Sequence, residues 1–372
     1  MSAVEVQPII DQKGMKAFIR LPWTIYHGDP YWVPPLIRDE KALFNPQRNP
    51  FFDHAEGTFF LARRGGKPVG RIAAFVNHLH NEHHHDRTGF FGFFETVLDA
   101  EIAQCLFDAC GAWLRARGME IMRGPMNFSV NETCGLLIEG FDRSPFIMMP
   151  YNPRYYPDLL TQYGFHKAKD LLAFYIRTST PIPDKVQHIA EMVPQKAGCT
   201  LRTLNMKDFA AEVERIKVIY NEAWADNWGA VPMTDREFDH LAKQLKTIVD
   251  PELVLIAEIK GEPAAFAMAI PDVNQSLKRI NGRLDPISLI KLLWFSRKIR
   301  EARLITLGVR KGYRHRGMDA ALYLKILLNG RRLGYIGGEL SWTLEDNVRI
   351  NRAIEAMGGR IYKKYRIYDI AL

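Results

Sequence analysis

The sequence predicts an α/β protein made of two tandem units of one design, and three observations carry that reading. Phe59–Phe75, FFLARRGGKPVGRIAAF, reads as strand, tight turn, strand. Leu253–Ile270, LVLIAEIKGEPAAFAMAI, repeats the pattern roughly 195 residues later, an offset that suits duplicated domains. The ends of the two halves also correspond. A helix stops at glycine in Tyr163-Gly164-Phe165 and in Met357-Gly358-Gly359, and the β-rich segments HKAKDLLAFYI and RIYKKYRIYDI follow. Finally, Leu304–Ile326 runs as an apolar strand, a basic glycine-containing turn and an alanine- and leucine-rich helix. Proline and small polar residues in Thr178–Lys185, TSTPIPDK, interrupt both periodicities. The chain is therefore expected to divide into domains 1–180 and 181–372.

A chain of 372 residues suits two domains of about 150 residues each. It has no run of about 18 apolar residues, so no spanning helix is expected. The start, MSAVEVQPIIDQKGMK, lacks the basic-then-apolar pattern of a signal peptide. Cys105, Cys110, Cys134 and Cys199 have no Cys-x-x-Cys spacing and read as reduced thiols of a cytoplasmic protein. The net charge of +8 favours anionic partners such as phosphate-bearing cofactors or acidic lipid. Nucleic acid is not the expected partner, because neither a recognised motif nor a basic–aromatic platform supports it.

In Ile305–Ile326, ITLGVRKGYRHRGMDAALYLKI, the strand feeds a helix start through a turn holding Arg314, Arg316 and Gly317. The first amides of a helix lack intrahelical partners, and with the helix dipole they favour a phosphate or pyrophosphate. This segment resembles the acyl-CoA loop of the GNAT superfamily of acyltransferases, whose pattern is Gln/Arg-x-x-Gly-x-Gly/Ala after a strand ending in Val. Val309, Arg314 and Gly317 match. Asp319 departs from the pattern, with Ala320 one step later, and is suited to capping the helix instead. The segments GFFGFFE, NETCGLLIEGFD and MMPYNPRYY, with the closing ELSWTLEDNVRINRAIEAMGGRIYKKYRIYD, look like an uncharacterised bacterial family of GNAT-like proteins of similar length. The resemblance covers most of the chain. It implies two tandem GNAT-like domains, each a mixed twisted sheet flanked by helices. In the first half the corresponding slot, Thr88–Ala103, has aromatics and acids but no arginine cluster. Acyl-CoA binding is therefore expected in the second half alone.

The resemblance also implies site residues. Acyl-CoA, acetyl or long-chain, would be held by backbone groups of Leu307, Gly308 and Val309, by the loop Arg314, Arg316, Gly317, Met318, Asp319 and Ala320, and by Asn347 and Asn351. Helix capping is the other reading of Asn347. Glu339, on the next strand, is the candidate base for an attacking amine, with Trp342 nearby as a substrate contact. The usual tyrosine acid is absent: Ile354 stands in its place, and Leu160 in the first half. Spacing does not choose among Tyr323, Tyr362 and Tyr365 as substitutes, and Tyr365 is carried as the candidate acid. In the first half, the period of two in NFSVNE points to an extended segment in which Asn127, Ser129, Asn131 and Glu132 join Tyr151 and Asn152 in an acceptor pocket. Turn chemistry is the alternative.

His78, His80, His83, His84 and His85 lack the HExxH arrangement and read as a solvated loop or helix end, so no metal is expected. From Pro286 a helical period places Leu289, Leu292, Phe295 and Ile299 on one face. Lys291, Arg297 and Lys298 lie on the other, with Ile287, Ile290 and Trp294 among them. Such a helix, 286–300, suits peripheral contact with an acidic membrane face. The expected function is acyl transfer from acyl-CoA to an amine. A ceramide-synthase-like transfer of a long chain to a lipid amine is one form, by analogy with lipid-transferring N-acyltransferases. The alternative is a non-catalytic acyl-CoA-binding or regulatory protein.

Overall fold

The computed structural model describes residues 3–372 except 185–186, 189–190, 194–197 and 225–226. Of the expected joint, Lys185 lies outside the described residues. The chain divides into two compact units. One comprises Met1–Leu171, Leu277–Ile290 and Lys364–Leu372, the other Leu172–Ser276 and Lys291–Lys363. Membership is discontinuous: the long strands His166–Arg177 and Arg360–Ala371 and the helix Pro286–Ser296 each contribute residues to both.

In the first unit, β1 (Val4–Pro8), β2 (Ala55–Arg64), β3 (Lys67–Asn77) and β4 (Thr88–Thr96) pair antiparallel in that order. Helix α1 (Ala100–Arg115) then crosses to β5 (Ile121–Gly124), which pairs parallel with β4. Ile102, Leu106, Cys110 and Leu114 recur every fourth residue and lie buried against Ile72, Ala74 and Phe91 of the sheet. Burying each such leucine or phenylalanine contributes about 1.5–3 kcal/mol. Four phenylalanines of the GFFGFFE motif (Phe90, Phe91, Phe93 and Phe94) are all buried. This strand is covered on both faces, which is why its sequence does not alternate.

The second unit repeats the plan. Strands β6 (Cys199–Thr203), β7 (Val254–Ile259), β8 (Glu262–Pro271) and β9 (Glu301–Val309) are antiparallel neighbours. The hairpin between β7 and β8 turns on Lys260 and Gly261, both at positive φ, as the two-residue hairpin turn requires. Helix α2 (Phe209–Trp224) covers one face through Val213, Ile216 and Ile219 on Val254, Ile256 and Phe266. Helix α4 (Met318–Arg332), which follows β9, covers the other through Met318, Ala321 and Leu322 near Leu255, Ala267 and Leu304. Strand β10 (Gly337–Leu344) pairs parallel with β9 only from Glu301–Gly337 to Leu304–Leu340. Both strands run on past that point, so they splay. A bulge at Ile305, between the pairs Met268–Thr306 and Ala269–Leu304, bends β9 where the splay begins.

Between β8 and β9 lies helix α3 (Pro286–Ser296). Lys298 Nζ sits 4.6 Å from the Trp294 ring centroid and 5.9 Å from that of Phe295, so the expected two faces are not cleanly parted there. Leu289 does not join the covered face: it is 48 % exposed, and Ser288 is the buried residue there. Ile290 at 68 % and Trp294 at 57 % exposure leave much apolar surface in solvent. Among the described residues, no helix is long and apolar enough to cross a membrane.

Candidate functional site

The splay between β9 and β10 opens a cleft lined by Thr306, Leu307, Ser341, Trp342, Asn347 and Trp224. One backbone edge of Leu307–Val309 is bonded to β8, and the other has lost its partner strand. Gly308 is required here by close approach. A Cβ on it would lie 2.5 Å from the Trp224 ring. Thr306 Oγ1 is buried with no hydrogen-bond partner among the described residues. The cleft thus presents strand-edge polar groups and one orphaned hydroxyl, a lining that fits an extended amide-bearing chain.

On the α4 side the cleft is bordered by Tyr323, in the second turn of that helix. Gly317, at φ 78°, is the helix N-cap and has no side chain to cap the amides behind it. The first helical bond runs from Ala321 N–H to Gly317 O at 3.1 Å, so the amides of Met318 and Asp319 precede it. Asp319 therefore does not take the cap position expected of it. The left-handed turn needs glycine, which pushes Asp319 into the first helical turn. There its Oδ1 accepts from Ala320 N–H at 3.0 Å, and Oδ2 lies 3.6 Å from Arg349. Arg314 braces the turn rather than offering its charge, donating to Ala223 O at 2.9 Å and Val309 O at 3.4 Å. Arg316 is exposed, with a long contact to Gly312 O and its guanidinium 5.6 Å from the Tyr313 ring centroid. Glu222 anchors the loop by accepting from Arg310 Nε and Lys311 N–H, each at 2.7 Å. The Arg310 bond holds its carboxyl below the usual range.

At the matching helix start in the first unit a carboxylate takes two of the first amides rather than one. Asp99 caps α1, accepting from Glu101 N–H at 3.0 Å and Ile102 N–H at 3.3 Å, and pairs with Arg64 at 2.6 Å. A carboxylate already sits where an anion would bind. The edge of β4 is also taken: Phe93 N–H donates to Asn127 Oδ1 at 2.8 Å, and a Cβ on Gly92 would collide with Met126 O.

Glu339 is wholly buried rather than solvated. The parallel register sets Arg303 beside it, and Ser341 lies two residues on, on the same face. Ser341 donates to Glu339 Oε1 and Tyr362 donates to Oε2. Arg303 Nε is 3.5 Å from Oε1 and donates to Ser341 Oγ at 2.8 Å. The tyrosine that meets Glu339 is thus Tyr362. Tyr365 is wholly buried in the first unit. Asn347 lines the cleft while capping helix α5 (Val348–Ala356) through Ile350 N–H at 3.4 Å. Asn351 accepts from Thr343 Oγ1 at 2.6 Å and donates to Leu344 O at 3.0 Å, fixing the corner between β10 and α5.

The NFSVNE segment is a hairpin turn, not an extended strand. Met126–Asn127 pairs with Thr133–Cys134. Glu132 accepts from Phe128 N–H at 2.8 Å, and Ser129 Oγ accepts from Asn131 N–H at 3.2 Å. These short-range bonds outcompete a ladder. Asn152 is buried and bonded to Leu137 at both its amide groups, and Tyr151 donates to Asp29 at 2.9 Å. His80 is buried too, not solvated, and burial pushes it down to about 4. Among the described residues, no group of three or more His, Cys, Asp or Glu is placed to hold a metal.

Sequence reasoning missed Glu95, the last residue of GFFGFFE. Tyr156 donates to its Oε2 at 2.7 Å and Tyr26 to its Oε1 at 3.2 Å, while Arg71 stands 3.9 Å away. Burial raises its carboxyl to about 7, against a lowering by Arg71; Glu40, itself pushed up by burial, adds to the rise. The folded protein therefore holds this proton more tightly than the unfolded chain. Stability from Glu95 is full below pH 4.5 and lost as pH rises through about 7. Across that window wild type should lose about 3 kcal/mol more unfolding free energy than Glu95→Gln. Urea unfolding at several pH values measures this, and parallel pH slopes would refute it.

No family model matches the chain. The chain is 34% identical to Protein YghO of Escherichia coli K12, over 98% of this chain and 94% of that protein. It is 37% identical to the bacterial ceramide synthase of Caulobacter vibrioides, over 99% of this chain and 98% of that one. Among solved structures, a tandem GNAT protein from the clavulanic acid biosynthesis pathway matches with a TM-score of 0.60. That match covers 99% of this chain and 98% of the other at 13% identity, a likeness of fold.

Proposed function

The chain belongs to the tandem GNAT family of Protein YghO and the bacterial ceramide synthase, and on that premise we propose that it transfers an acyl group from acyl-CoA to an amine. The observation that carries this reading is the splayed β9–β10 cleft, together with the helix start at Gly317 that follows shortly after β9 in the chain. The second half holds the thioester substrate, and the first half, with its helix start closed by Asp99, does not. The pyrophosphate sits on the amides of Met318 and Asp319, with Arg316 the nearby charge. Backbone groups of Leu307–Val309 and the Thr306 hydroxyl hold the pantetheine arm.

In the reaction the amine nitrogen bonds to the thioester carbonyl carbon, the carbon–sulfur bond breaks, and the thiolate leaves. The amine must also lose a proton. Ser341 lies on the cleft wall and donates to Glu339, so the amine proton passes to Ser341 Oγ as the serine proton passes to Glu339. Tyr362 and Arg303 hold the carboxylate in place. A lipid amine and a long acyl chain are favoured by the relative named a ceramide synthase and by the exposed apolar residues of α3 among its basic ones. In this reading the protein works at the cytoplasmic membrane face. A binding or regulatory protein is the second reading, supported by Ile354 at the tyrosine position and by the complete burial of Glu339.

Gly317→Val tests the cofactor assignment. A β-branched residue at φ 78° is strained by about 1–2 kcal/mol and blocks close approach to the turn. CoA affinity should fall about tenfold or more, the cost of one lost charge-assisted hydrogen bond, with the fold retained. Calorimetry decides: equal affinity in both proteins, or no CoA binding by wild type, removes the assignment.

A further inference from the structure

We propose that the apolar pocket beneath α4 is the chamber for the acyl chain of the thioester substrate, an inference that rests on the acyl-CoA reading above. The pocket is bounded by Ala269, Ala302, Ile326, Leu327, Tyr335 and Met357. Its exposed lining is mostly apolar, with Glu339 and Thr178 as its polar members.

Position identifies the occupant. Leu304, Tyr323 and Leu340 line both this pocket and the β9–β10 cleft. Leu304 and Leu340 are also the last pair joined before the strands splay. A thioester whose pantetheine arm follows the cleft therefore brings its carbonyl to the doorway of the pocket, and the chain attached to it has an apolar way in. A polar acceptor gains little there, because Glu339 is already bonded by Ser341 and Tyr362, and Thr178 donates to Tyr335 O at 2.7 Å. Gly330 adds independent support. Glycine is unfavourable inside a helix, yet here it faces the pocket and leaves it open. A Cβ on Gly330 would lie 3.9 Å from Tyr335 Cβ and 4.0 Å from Thr178 Cγ2, so a side chain has room to start and would then grow into the pocket.

Two opposed variants test the chamber, with acetyl-CoA and palmitoyl-CoA as probes in calorimetry. Gly330→Leu fills it with better helix propensity and no backbone clash. Palmitoyl-CoA affinity should drop about tenfold or more, as if about two methylenes had left apolar contact, and acetyl-CoA affinity should not change. Leu327→Ala enlarges the chamber and should shift preference toward chains longer than palmitoyl. Palmitoyl-CoA binding wild type no more tightly than acetyl-CoA, or Gly330→Leu as tightly as wild type, overturns the chamber while leaving the acyl-CoA reading intact. Failure of both thioesters to bind wild type overturns the acyl-CoA reading itself and the chamber with it.

Discussion

Glu339→Gln is expected to lower turnover about 10²–10⁴-fold and to cost about 3–5 kcal/mol of stability. The two effects have separate causes. Turnover falls because the amide cannot take the proton that Ser341 passes on. Stability falls because Arg303, itself buried, loses the negative charge beside it. Breaking a buried ion pair is among the costliest single changes in a protein. Ser341→Ala separates the effects. It keeps the Arg303–Glu339 pair and removes the hydroxyl between cleft and carboxylate, so turnover should fall while stability drops by no more than a hydrogen bond or two, about 1–3 kcal/mol. The assays are amide formation by mass spectrometry and urea unfolding. Full turnover in Ser341→Ala would dismiss the relay. A wild type that binds acyl-CoA, acylates no amine in a broad screen, and still loses stability in Glu339→Gln would establish the binding-protein reading.

This buried group marks the boundary of what the sequence made legible. Patterns local to the chain were readable. The Gly65-Gly66 and Lys260-Gly261 turns signal hairpins, and the strand, basic turn and helix of Leu304–Ile326 signal the loop, because each depends on neighbours a few residues apart. Glu339 was noticed as a strand residue, but its partners were not. Arg303 meets it only through the parallel register of β9 and β10, and Tyr362 arrives from the last strand. No spacing in the chain encodes that meeting. Arg314 shows the converse: its place in the motif is legible, yet its side chain is turned onto Ala223 O, a carbonyl of helix α2. The NFSVNE segment failed for a local reason. Five residues of period two are as compatible with a polar turn as with a strand, and the Glu132 and Ser129 bonds decide for the turn. Glu95 did leave a signal, a lone acid closing an apolar run, but its meaning depends on Tyr26 and Tyr156, roughly 60 to 70 residues away.

Helix α3 should carry the second large effect, loss of about 10²-fold or more in affinity for acidic vesicles when Ile290 and Trp294 are both replaced by aspartate. Burying two such side chains in a bilayer interface contributes about 3–6 kcal/mol together. Lys291, Arg297 and Lys298 each add about 1 kcal/mol near an anionic surface, a contribution that new carboxylates oppose. The wild type should show a blue shift of Trp294 fluorescence with phosphatidylglycerol vesicles, smaller at high salt because screening shortens the reach of the charges. The chain has 7 tryptophans, so the shift must be assigned by its loss in Trp294→Phe. The exposure of Trp294 argues that this side is not needed for packing, so both variants should fold with wild-type cooperativity. Vesicle binding that survives the double substitution would move the contact elsewhere. No binding by wild type at low salt would leave α3 an exposed helix and favour a soluble amine over a lipid one.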